Sequence, residues 1–391
     1  MFTPILRRAV PSRMLLQRQY SARSTFSAKD LKITPTSNPK PLVPNNELVF
    51  GHTFTDHMLS VEWAAGKGWA APEIKAYQNL SLQPSAVVFH YAFECFEGMK
   101  AYKDKEGRVR LFRPDMNMKR MNFSAERIAL PTFDGEELTN CIKRLVKQDA
   151  RWVPDQKGYS LYIRPTLIGT QETLGVAPSD KALLFVICCP VGPYYKTGFN
   201  AVSLRATSEY VRAWPGGTGY AKIGGNYAPG IKPQREATAQ GFQQNLWVFG
   251  PDQQICEVGT MNLFAFWENE QGETELVTPE LDGTILPGVT RDSILQLARG
   301  WGEFKVTERR LTMPEVVRAV QEKRMKEMFG AGTACIVSPI KHIQYDDLEL
   351  SIPLDPSNPQ SQAGPLTKRI NDTILAIQHG EIPHEWSVVV D

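Results

Sequence analysis

The chain has 391 residues, 42% hydrophobic and 22% charged, with 44 Lys+Arg against 42 Asp+Glu for a net charge of +2. Those proportions exclude a disordered polar chain, and the near-balance of charge excludes a strongly basic nucleic-acid binder. No window holds the ~18 uninterrupted apolar residues of a membrane-spanning helix; the best candidate, Ala182–Val191, reads as a buried strand.

In chain order the first segment is residues 1–29. It has no Asp or Glu but carries Arg7, Arg8, Arg13, Arg18, Arg23 and Lys29 among serines and apolar residues. These charges exceed the whole net charge, so the remainder is acidic. The composition fits a mitochondrial presequence, and Arg18-Gln19-Tyr20-Ser21 resembles a matrix-protease cleavage site. The arginines interrupt any secretory apolar core. Residues 30–46, with Pro35, Pro39, Pro41 and Pro44, read as an extended arm. Thr53–Trp63 reads as a strand and Ser85–Glu97 as a buried helix or a strand-helix junction. Val109–Phe112 is a strand and Asp115–Arg127 a helix. Glu136–Trp152 is a helix with apolar residues at Leu138, Ile142, Leu145 and Val146.

Tyr159–Ile168 and Ala182–Val191 read as strands, and Gly192–Asn200 as a linker between two domains. Beyond it Ala201–Ala206, Asn245–Phe249 and Ile255–Trp267 are strand-like, the last two bracketing a Pro251-Asp252 turn as a hairpin. Helices are expected at Arg291–Gly300, Pro314–Arg324 and Leu366–His379, the second opened by a Thr312/Glu315 capping box. Mixed strands and helices in two halves give an α/β or α+β fold with a cleft between domains.

Cysteines 95, 141, 188, 189, 256 and 335 form no C-x-x-C and read as buried thiols of a reducing compartment. No H-E-x-x-H or G-x-S-x-G occurs, so neither a zinc protease nor a hydrolase elbow is supported. His52 and His57 beside Asp56 are a weak metal candidate, and no metal is expected.

Four stretches could carry chemistry. In Gly216–Tyr227 glycines flank Lys222, but Ala221 and Ile223 stand where a phosphate loop needs Gly and Ser or Thr. A lysine amine buried there would be neutral and nucleophilic toward a carbonyl, as in a Schiff-base lysine; a plain flexible loop is the alternative. Leu286-Pro287-Gly288-Val289-Thr290 precedes a helix and is either an anion seat or an ordinary turn and cap. Phe329–Cys335 is a small-residue turn ahead of a strand, able to offer backbone donors and a hydroxyl. Glu257, between strand residues, is costly to bury unpaired. It either holds a proton on a ring nitrogen or sits at a rim.

These stretches join others in one order: Phe50-Gly51 through Phe54-Thr55-Asp56-His57-Met58, Phe96-Glu97-Gly98-Met99-Lys100, Leu111-Phe112-Arg113-Pro114, Tyr162-Ile163-Arg164-Pro165, Lys222 through Tyr227, Glu257 through Asn262, Leu286 through Val289, and Gly332-Thr333-Ala334. The set resembles the branched-chain-amino-acid aminotransferases, pyridoxal phosphate enzymes of fold type IV. The Glu257–Asn262 and Phe96–Lys100 strings favour that group over a D-amino acid aminotransferase or an aminodeoxychorismate lyase.

The resemblance implies a two-domain α/β (α+β) architecture: a transit peptide at 1–29, a small N-terminal domain at 30–194, a linker at 195–202, and a larger pseudo-barrel domain at 203–391 that binds the cofactor. It implies transamination between Leu, Ile or Val and 2-oxoglutarate, in synthesis and breakdown of these amino acids, by a mitochondrial homodimer. Lys222 matches the Schiff-base lysine, which also moves the Cα proton. Glu257 matches the pyridine-nitrogen partner and Tyr227 the phenolic-oxygen partner. Arg120 matches the phosphate arginine, with Val289, Thr290 and Thr333 completing the seat and Leu286 packing on the ring. Phe50, Phe96, Tyr162, Tyr194, Thr260 and Ala334 match the substrate pocket, with Tyr91 and Val176 reaching in from the second subunit. Arg164 matches the residue that meets the distal carboxylate of glutamate; an internal salt bridge is its alternative. Some relatives pair the cysteine matching Cys335 with a second one three residues on. Here Ser338 stands there, and control through that pair is not expected.

Overall fold

The computed structural model describes residues 25–193 and 199–390. The expected presequence, except its last residues, and Tyr194 lie outside them. Two β-sheets organise the chain. The first has ten strands, with a path running from Lys32–Ile33 through Glu73–Ala76, His57–Ala64, Lys181–Val191, Ser160–Gly169, Met99–Lys103 and Val109–Phe112 to Ser387–Val389. The second has nine strands, and six close on themselves. Gln254–Val258, Gln244–Phe249, Val202–Thr207, Ile336–Tyr345, Met325–Gly332 and Met261–Glu268 form a ring through the pairing of the last with the first. This is the α/β (α+β) arrangement with a C-terminal pseudo-barrel.

Helices Pro114–Arg127 and Gly135–Gln148 cover the first sheet. Asp134 caps the second helix by accepting from the N–H groups of Glu136 and Glu137. Its apolar stripe of Leu138, Cys141, Ile142, Leu145 and Val146 is wholly buried against the sheet. Inside the barrel Leu204, Leu246, Ile255, Val258 and Leu263 form a second core. Helices Val289–Trp301 and Pro365–Gln378 share a third with the stacked rings of Phe264 and Phe329, 5.2 Å apart. The cysteines are free thiols, buried at 95, 141, 188, 189 and 256 and partly exposed at 335.

Several elements differ from expectation for local reasons. The first long strand starts at His57, because Asp56 turns inward to accept from the Lys40 N–H, the Arg151 guanidinium and the Trp152 indole. The same indole bond accompanies the end of the helix at Gln148 and the separate turn Ala150–Trp152. Ser85–Glu97 divides into helix Val87–Tyr91 and strand Glu94–Phe96, with Ala92 between them at φ +50°. Ile255–Trp267 is two strands, turned at Gly259, whose φ of +54° suits glycine. His57 uses both ring nitrogens: Nδ1 is 2.6 Å from Asp149, and Nε2 accepts from the Thr36 N–H at 2.9 Å. The Pro251-Asp252 hairpin and the Thr312/Glu315 capping box are both present.

Candidate active site

A cavity of about 330 Å³ opens between the two sheets. Lys222 enters it from a short loop tied down on three sides. Its N–H donates to Ser124 Oγ at 2.8 Å, its carbonyl accepts from the Phe96 N–H at 3.1 Å, and Ile223 bridges to Cys95. The Asn226 side chain donates to the carbonyls of Thr218 and Ala221, which holds the glycine-rich run in a fixed turn. The half-buried Lys222 ammonium donates to Tyr227 Oη at 2.9 Å and lies 4.7 Å from the Phe96 ring centroid. The loop is therefore ordered by specific bonds and is not a plain flexible segment.

Glu257 lies on the barrel strand Gln254–Val258 and is only 1% exposed, which removes the rim reading. Burial pushes its carboxyl up. The Arg212 guanidinium, with Nε 2.9 Å from Oε2, and the Leu286 N–H, 2.8 Å from Oε1, work against that. Arg212 also donates to the carbonyls of Thr284 and Gly219, so it joins the Lys222 loop to Glu257.

Arg120 is buried on helix Pro114–Arg127. Burial works against its charge, but the Glu97 carboxylate more than offsets this and raises its pKa. The pair is bidentate, at 2.7 and 2.8 Å, and Asn117 donates to the same carboxylate at 2.8 Å. Arg120 Nη1 donates to the Pro287 carbonyl at 3.0 Å, crossing from the first sheet's helix to the turn before helix Val289–Trp301. That helix is capped by no side chain at Gly288, so the first-turn N–H groups of Val289 and Thr290 lie free of intrahelical partners at the cavity wall. Thr333, in the turn between two barrel strands, and Leu286 line the same end.

Phe50, Phe96, Tyr162, Arg164, Thr260 and Ala334 line the rest. Tyr162 and Arg164 point the same way from one strand, as residues two apart must. Arg164 Nη2 donates to Tyr162 Oη at 3.1 Å, and Phe50 meets the Tyr162 ring edge-on at 4.9 Å. Gly98 leaves room for that phenol: a Cβ there would stand 1.9 Å from Tyr162 Oη. Among the described residues Arg164 has no ion pair within 4 Å, although its charge acts on the nearby Glu94 carboxyl. The Arg164 Nε is buried and has no hydrogen-bond partner among them. Tyr91 and Val176 do not line this cavity. They stand on the surface, 39% and 76% exposed, with the Tyr91 hydroxyl donating to the Leu174 carbonyl.

Sequence reasoning missed Arg212, Glu97 and Asn117. No spacing marks Arg212 or Asn117. Glu97 has the same signal as Glu257, a carboxylate inside an apolar run that burial makes costly unless paired.

Residues 94–343 match the family described as amino-transferase class IV. A branched-chain-amino-acid aminotransferase of Monosiga brevicollis is 55% identical over 99% of this chain and 98% of its own length. The cytosolic enzyme of that name from Saccharomyces cerevisiae is 58% identical over 93% and 98%, and the mitochondrial one 53% over 95% of each. The solved structure of a branched-chain amino acid aminotransferase from T.th. with pyridoxamine 5′-phosphate superposes with a TM-score of 0.67, at 26% identity over 85% of this chain and 98% of that one. With a class IV match across most of its length and relatives at more than half identity over nearly all of it, the chain belongs to the branched-chain-amino-acid aminotransferase family.

Proposed function

We propose that the protein moves the amino group between Leu, Ile or Val and 2-oxoglutarate, using pyridoxal 5′-phosphate. The observation that carries this is the convergence of Lys222, Tyr227, Arg120 and Arg164 on one cavity, with buried Glu257 behind it. The donor set fits the cofactor. A guanidinium, two first-turn N–H groups and the Thr333 hydroxyl suit a phosphate, and a buried carboxylate suits a protonated ring nitrogen.

When bound, the cofactor supplies an aldehyde that takes up an amine and a ring that accepts the electron pair left at Cα. The protein's residues do the rest. Arg120, Thr333 and the N–H groups of Val289 and Thr290 hold the phosphate, and Leu286 packs on the ring. Glu257, whose ionised form Arg212 favours, would hold the proton at the ring nitrogen. Tyr227 binds the phenolic oxygen and steers the Lys222 amine by the bond it already accepts. Lys222 Nζ would carry the proton between substrate Cα and the cofactor carbon that had carried the aldehyde oxygen.

Phe50, Phe96, Tyr162, Thr260 and Ala334 form the substrate wall, and the family resemblance adds Tyr194. Burial contributes about 0.8 kcal/mol per CH₂, so this wall ranks Leu, Ile and Val without choosing one absolutely. Arg164, steadied by Tyr162, meets the distal carboxylate of glutamate. Purified protein given L-leucine and 2-oxoglutarate is expected to form glutamate, and no glutamate refutes the reading. Arg164→Met is expected to cut kcat/KM for glutamate by on the order of 10²-fold and for leucine by under about threefold. Equal losses would remove Arg164 from this role.

The domains run 30–194 and 203–391 across the 195–202 linker. The active form is a homodimer in which Tyr91 and Val176, exposed beside Leu174 and Phe89, complete the other copy's cavity. A fully active monomer in sedimentation refutes that. The basic, acid-free residues 1–29 direct the chain to the mitochondrial matrix, and a reporter carrying them that stays in the cytosol refutes this.

A further inference from the structure

Lys100 lies on strand Met99–Lys103, opposite Tyr162, and is 8% exposed. Its ammonium donates to the Ala334 carbonyl at 2.8 Å, and among the described residues it has no ion pair. A buried ammonium with no carboxylate is costly, and an apolar side chain would fill the same space at lower cost. Shape alone therefore does not account for a lysine there. The carbonyl it holds belongs to the three-residue link Thr333-Ala334-Cys335, made of small side chains and closed by Ile336 at φ +65°. Within that link only Cys335 packs against the barrel core, its thiol 3.2 Å from Met261 Sδ. Thr333 and Ala334 nevertheless form part of the cavity wall.

We propose that Lys100 is a positioning residue for substrate binding: its ammonium holds the Ala334 carbonyl and thereby sets the Thr333-Ala334 wall of the cavity. This rests on the reading of that cavity as a site for 2-oxo acids. Ala334 and Cys335 also line a smaller space behind the wall together with Lys100, Ser338, Asn371 and Leu375, so the bond is made from the side away from substrate. Burial pulls Lys100 down to about 8, while the Cys335 thiol raises it. Tyr162 is its register partner on the next strand, but that phenol bonds Arg164 in the cavity, and Asn371 and Leu375 are uncharged. Below about pH 8 the bond is charge-assisted; above it a neutral amine donates more weakly.

The test uses Lys100→Met and Lys100→Arg, with backbone hydrogen exchange at 333–335 in the cofactor-free protein and KM for a 2-oxo acid, which has no amine of its own to titrate. Lys100→Met is expected to speed exchange in the turn and raise KM, each about tenfold, with kcat within about threefold. Lys100→Arg is expected to restore both. In the wild type KM should climb as pH passes about 8, and in Lys100→Arg it should not. A Lys100→Met protein with unchanged KM and exchange overturns the proposal, as does one whose melting temperature falls while KM stays. If Lys100→Met does not fold, a flat wild-type KM from about pH 7 to about 9 overturns it. Wild-type protein that does not transaminate at all defeats the functional reading instead, and the exchange result still stands or falls on its own.

Discussion

Lys222→Ala is expected to fold, to bind pyridoxal 5′-phosphate without becoming fixed to it by borohydride, and to lose on the order of 10⁴-fold in kcat. The fold survives because the contacts that place this residue are made by its backbone. Ser124 and Phe96 bond the N–H and the carbonyl, which alanine keeps. The amine itself is half-buried and bonds the Tyr227 hydroxyl, so its removal changes stability by about 1 kcal/mol or less. Lys100 cannot take its place, since its ammonium is turned away and committed to the Ala334 carbonyl. Small external amines should restore part of the rate, because the missing part is a base and not a shape. Wild-type turnover in Lys222→Ala would overturn the assignment.

Arg212→Leu is expected to have the second-largest effect and to act at a distance from substrate. Arg212 and Glu257 are 8% and 2% exposed at the side chain, and their contact is 2.9 Å. Removing one partner of such a pair costs about 3–5 kcal/mol, read as a drop in denaturation midpoint. Burial already pushes the Glu257 carboxyl up, and Arg212 is the largest influence opposing it. Without Arg212 the carboxyl moves further up and ionises less readily. It then favours a proton on the ring nitrogen less strongly, and kcat should fall by on the order of 10²-fold. The acid limb of the pH–rate profile should move to higher pH, because more alkali is needed to ionise Glu257. Adding Glu257→Leu should restore stability, since an apolar pair replaces the stranded acid, and should not restore the rate. Restoration of both would show the pair to be scaffolding only.

The parts of this molecule legible from sequence are those whose cause is local. Strand Val109–Phe112 and the following helix are marked by a proline at the helix start. The next helix shows its cap and its apolar stripe within one window. Lys222 and Glu257 were visible because a lysine among glycines and a carboxylate among strand residues are locally improbable unless chemistry requires them. What was not legible depends on partners far along the chain. The Ile255–Trp267 run is apolar on both faces, since it forms the barrel wall, so no period marks the turn at Gly259. Helix Ile231–Ala239, short and with few buried residues, gave no stripe to read. Arg212, Glu97 and Lys100 acquire meaning only beside Glu257, Arg120 and Ala334, which other elements bring to them.

The final strand has a consequence for synthesis. Ser387–Val389 pairs antiparallel with Arg110–Phe112, so a late segment seals the edge of a sheet whose other strands all lie before residue 192. During translation that earlier strand must wait with its N–H and C=O groups unmatched while nearly three hundred residues emerge. A ribosome stalled before Ser387 emerges would thus hold a barrel able to close beside a first sheet still open at that edge. Emergence of Ser387–Val389, and not closure of the barrel, is the event that covers that edge.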